Sequence, residues 1–73
     1  MRLPALKPRE MVRALKRAGF QERRQVGSHL TLEHPQSGKL VVVPMHNRDL
    51  KRGLMMAIIH DAGLTLEEFQ KLL

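Results

Sequence analysis

Apolar positions change their period twice along this chain. In "KPREMVRALKRAGF", Met11, Leu15 and Ala18 recur at intervals of four and three, Val12 and Ala14 widen the stripe, and Arg9, Arg13, Lys16 and Arg17 fall opposite. That spacing predicts an amphipathic helix, basic on its outer face. Pro8 is tolerated in its first turn, and Gly19 supplies a left-handed stop. From Phe20 the period becomes two. In "HLTLE", Leu30 and Leu32 alternate with His29, Thr31 and Glu33, which predicts a half-buried strand with His29 on the wet face. The more polar "FQERRQ" reads as its partner, joined through Val26-Gly27-Ser28, where Gly27 is free to take a positive φ. "HPQSGK" is a second turn-rich link leading into "LVVV", Leu40 to Val43, which Pro44 ends. Three strands joined by short links predict an antiparallel meander.

The last third returns to helical spacing. A helix is expected from about Leu50 to Asp61, capped by Asn47 or Asp49, with Leu50, Leu54, Ala57, Ile58 and Ala62 facing inward and Gly63 ending it. Met55, Met56 and Ile59 make it apolar over more than one face. In "TLEEF", Thr65 and Glu68 have capping-box spacing ahead of Phe69, Leu72 and Leu73. The predicted order is α-β-β-β-α with a short C-terminal helix, an α+β fold with the helix pair on one face of a three-stranded antiparallel sheet. Residues 1–73 read as one domain, without repeats or linkers. At 73 residues it is near the size where burial only just outweighs chain entropy, so almost every apolar residue is needed for the core.

Composition narrows the chemistry. The absence of Cys rules out a disulfide framework and a thiolate zinc site. The only aromatics, Phe20 and Phe69, argue against stacking platforms for unpaired bases. Apolar runs of about six residues, "LVVVPM" and "LMMAII", are too short to span a membrane. "MRLPALKPRE" lacks the apolar core of a signal peptide, so a cytoplasmic protein is expected. The net charge of +6 is uneven: residues 1–52 hold 12 Lys and Arg against 4 Asp and Glu, whereas residues 53–73 are slightly acidic. A basic region of this kind fits a nucleic-acid partner, and it also fits a merely soluble basic surface.

His29, directly after Gly-Ser, is the candidate for acid–base chemistry, with a plain solvent-facing strand residue as the alternative. An imidazole accepts a proton near neutral pH, as a general base must. Gly27 permits close backbone approach, Ser28 offers a hydroxyl, and Arg23 and Arg24 on the neighbouring strand are candidate phosphate ligands. With RNA as substrate, the 2′-hydroxyl is itself the nucleophile, so the protein need supply only a base, positive charge and a donor for the leaving oxygen. His46 is a candidate second acid–base group, with helix capping as its alternative. His34, before Pro35, and His60, late in a helix, read as structural. In "DLKRGL", Lys51 and Arg52 oppose the helix dipole in a first turn, which makes sense if they and the backbone at Gly53 meet a phosphate. A solvated basic helix start is the alternative. No paired His spacing, acidic cluster or phosphate loop is present, so no metal and no cofactor is expected.

Taken in order, "LKRAGF", "RQVGSH", "VVVP", His46, "DLKRGL" and "AGLTLEEFQKLL" resemble the HicA family of bacterial and archaeal toxins, from Lys7 to Leu73. The resemblance implies a double-stranded-RNA-binding-domain-like fold, ribosome-independent endonucleolytic cleavage of mRNA in a stress response, and neutralisation by a HicB-type antitoxin. It also implies that the His of the Gly-Ser-His step, His29, is the residue toxicity depends on. Leu54 stands where the family often has Thr, which removes a hydroxyl there but leaves Gly53. Two other readings remain: a module of the same fold that binds RNA without cutting it, and a DNA-binding regulator using the basic first helix.

Overall fold

The computed structural model describes residues 3–73; Met1 and Arg2 lie outside them, so the N-terminal reading is followed only from Leu3. Six elements follow the expected order: α1 (Pro8–Arg17), β1 (Gln21–Val26), β2 (His29–Glu33), β3 (Leu40–Pro44), α2 (Arg52–Asp61) and α3 (Leu66–Gln70). The sheet is an antiparallel meander in the order β1-β2-β3. This is an α+β fold of the double-stranded-RNA-binding-domain type.

Alternation along the strands separates two faces. Leu30 and Leu32 of β2 with Val41 and Val43 of β3 are buried against the helices, where they meet Met11, Leu15, Met55, Ile58, Ile59 and Phe69. The opposite face is open to solvent, as one side of an antiparallel sheet can be. β2 pairs His29 with Pro44, Thr31 with Val42 and Glu33 with Leu40, so these six residues share the open face. Val26 opposite His29 and Arg24 opposite Thr31 extend it onto β1.

α1 begins at Pro8 as expected, and the carboxylate of Glu10 accepts the Lys7 amide at 2.9 Å. Met11, Val12, Ala14 and Leu15 form its buried stripe. The capping box of α3 also forms: Thr65 Oγ1 accepts the Glu68 amide at 3.1 Å, and the Glu68 carboxylate accepts the Thr65 amide at 2.8 Å.

α2 departs from expectation in three ways. It starts at Arg52 rather than Leu50, because Leu50 is drawn into the core ahead of the helix, its amide bonded to the Leu6 carbonyl at 2.7 Å. Neither Asn47 nor Asp49 caps it: Lys51 occupies the cap position, and Asp49 instead pairs with Lys7 at 3.2 Å. Finally, the inward stripe is Met55, Ile58, Ile59 and Ala62, while Leu54 and Ala57 are exposed. Both stripes are apolar, so periodicity alone cannot choose between them.

Candidate nucleic-acid interface

His29 owes its position to a tight turn. Gly27 and Ser28 form a two-residue link between Val26 and His29, with φ +59° at Gly27 and a negative φ at Ser28, the sign pattern of a type II′ turn. The Gln25 side-chain amide donates to the Gly27 carbonyl at 3.1 Å and braces the turn. His29 is therefore the first residue of β2, at one end of the sheet. It is exposed, and its side chain makes no hydrogen bond or ion pair with another described residue. Both ring nitrogens are thus accessible to a bound molecule.

Adjacent residues of a regular strand point to opposite faces, so Arg23 and Arg24 could not both serve His29 from one. A bulge between Glu22 and Arg24 resolves this. It restores Arg24 to the open face, diagonal to His29 at a backbone separation of about 7–8 Å. It also leaves Arg23 reaching across the same face to an ion pair with Glu33. Arg24 has no counter-ion among the described residues, and Arg23 does.

The loop after β3 lies at the same end of the molecule. The Met45 amide donates to the Ser28 carbonyl, fastening this loop to the turn that carries His29. His46 follows, exposed, with Nδ1 accepting the Arg48 amide at 3.1 Å. In that arrangement the neutral imidazole holds its proton on Nε2 and presents a donor outward. His46, Arg48, Asp49, Lys51 and Leu54 line a shallow depression at the start of α2. Arg52 and Gly53 form the first turn there, both exposed, with open space where a Gly53 side chain would project. Two groups result: Gly27, Ser28 and His29 with the two arginines, and His46 with the α2 start. The Ser28–Met45 bond links them through the backbone.

The other histidines are held away from this end. His34 packs edge-on against Phe20 at 5.2 Å and accepts the Ser37 amide at 3.3 Å; His60 stands beside Asp61. Among the described residues no three His, Cys, Asp or Glu side chains gather as a metal-ligand set, and no helix is long and apolar enough to cross a membrane.

The family model described as the HicA toxin of bacterial toxin–antitoxin systems matches residues 8–64, from the first residue of α1 to beyond the end of α2. The chain belongs to the HicA toxin family. No curated protein matches it in sequence. Membership makes it the toxin half of a toxin–antitoxin pair and implies an antitoxin partner.

In this HicA chain, Arg9 and Arg13 were expected on the basic outer face of α1, with a binding role only in the DNA-regulator reading. The structure instead places them on the wall of a cleft of about 590 Å³ between α1 and the β3–α2 loop, together with Met45, His46 and Asn47. Their spacing of four residues was visible; the loop that turns a convex helix face into one side of a cleft was not.

Proposed function

We propose that this HicA-family toxin is an endoribonuclease that cleaves mRNA, with His29 as general base. One observation carries the reading: an imidazole without a hydrogen-bond or ion-pair partner among the described residues stands at the exposed end of the sheet, diagonal to an arginine, Arg24, that has none among them either. His29 takes the proton from a ribose 2′-hydroxyl, the oxygen attacks the adjacent phosphorus, and the 5′-oxygen of the next nucleotide leaves with a proton from a donor at the site. The products end in a 2′,3′-cyclic phosphate and a 5′-hydroxyl. Arg24, with Arg23 after exchange of its Glu33 partner, offsets the charge that develops on the phosphoryl oxygens. Gly27 and Ser28 let the RNA backbone approach closely, and Lys51, Arg52 and Gly53 hold a flanking phosphate. A HicB-type antitoxin of acidic character, enclosing His29, is the fitting inhibitor for so basic a surface.

The test is incubation of wild type and His29→Ala, both shown to be folded by circular dichroism, with a long mRNA in EDTA. Cleavage by wild type alone, with cyclic-phosphate ends, supports the reading. Equal cleavage by both proteins, or products with only 5′-phosphate and 3′-hydroxyl ends, refutes it. A second reading, an RNA-binding module that does not cut, draws on the lack, among the described residues, of any side chain orienting the His29 ring. It predicts that both proteins bind RNA and neither cleaves it.

A further inference from the structure

The cations of this chain sort into two sets. Lys7 is paired with Asp49, Lys16 with Glu22 and Arg23 with Glu33, and Arg17 donates to the Leu72 carbonyl at 2.6 Å. Arg9 and Arg13 have no counter-ion among the described residues, although Glu10 lies beside them in sequence; its carboxylate is turned back to the Lys7 amide. Both of these unpaired guanidinium groups stand in a concave setting. They line the cleft beside His46, and they line a second depression that continues past Leu30 to Gln25 and Glu22 at the sheet edge. His46, in turn, is shared between the cleft and the depression at Lys51. The three hollows adjoin through these shared side chains, a broken trough along this end of the molecule. Met45, on its floor, is bonded to Ser28, the residue before His29.

We propose that this trough holds the single-stranded RNA backbone flanking the cleaved phosphate, with Arg9 and Arg13 as its phosphate ligands. The inference rests on the RNA reading above and extends it to a surface on the far side of the sheet end from the His29 ring. Arg9 and Arg13 stand one helical turn apart, about 6 Å along α1, a spacing comparable to that of successive phosphates on a nucleic-acid strand. A strand that passes His29 and rounds the sheet end at Met45 meets them next. His46 contributes an Nε2 donor to the same backbone. With only Phe20 and Phe69 as aromatics, and both buried, the grip is on phosphate rather than on bases.

The experiment measures binding of a fluorescent 2′-O-methyl RNA, which lacks the 2′-hydroxyl nucleophile, across a salt series. Wild type is compared with Arg9→Gln/Arg13→Gln and with Lys39→Gln/Lys71→Gln, which removes the same charge elsewhere. Two lost phosphate contacts predict a salt slope shallower by about 1.4 and affinity lower on the order of tenfold at moderate salt for the α1 variant alone. Equal losses in both double variants overturn the trough and leave only a net-charge effect. A wild type that does not bind RNA overturns the trough and the RNA reading together. Selective weakening in the α1 variant, alongside intact cleavage by His29→Ala, retains the trough and removes His29 as the base.

Discussion

Arg23 and Glu33 form an ion pair across the open face of the sheet, on the same side as the His29 ring. Both side chains are substantially exposed, so the pair contributes about 0–1 kcal/mol to folding. Its larger effect is to occupy one of the two arginines nearest His29. Glu33→Gln should leave the thermal midpoint nearly unchanged while raising RNA affinity by a few-fold at low salt. Titration of RNA at two ionic strengths checks this, since the gain should fade as salt rises.

His46 is fixed by the Arg48 amide as a donor at Nε2. In the proposed reading that nitrogen faces a phosphate oxygen as a donor. His46→Gln keeps an N–H donor, so cleavage should slow uniformly with the shape of the pH–rate profile retained. Loss of one limb of that profile would instead make His46 an acid–base participant.

Gly19 adopts φ +102°, and a Cβ there would come within 2.8 Å of His34 Nε2. The ring can shift, but the backbone strain remains. Gly19→Ala should destabilise the fold by about 1–3 kcal/mol, read from chemical denaturation with an unchanged slope.

The Glu68 carboxyl is held below its ordinary value, chiefly by the Thr65 backbone N–H and then by the Thr65 hydroxyl. A carboxyl depressed in the folded state stabilises above its unfolded pKa, and that contribution is lost as pH falls through the folded one. The difference in thermal midpoint between wild type and Glu68→Ala should be largest near neutral pH. It should shrink as the solution is acidified below the usual glutamate range.

Where a residue's role follows from local chemistry, the chain announces it. The α1 stripe of Met11 and Leu15, the turn at Gly27, the alternation of Leu30 and Leu32 and the Thr65–Glu68 box all appear where spacing put them. What depends on packing between distant segments does not. Leu50 is held to Leu6 ahead of α2, and Asp49 to Lys7, each by a partner more than forty residues away. The same holds for the candidate site. The exposed place of His29 at the head of β2 was legible from the Gly-Ser-His step, whereas the concavity around Arg9 and Arg13 exists only after the β3–α2 loop closes against α1.

The bulge in β1 has a consequence for how this surface can vary. Gln21 and Glu22 on one side of it, and Arg24 to Val26 on the other, pair with consecutive residues of β2, and Arg23 has no partner in the ladder. Arg23 is a supernumerary residue in the ladder: its excision would regularise the strand and shift no other side chain to the opposite face. Deletion of Arg23 should therefore remove a positive charge next to His29 while every other pairing of the sheet is kept.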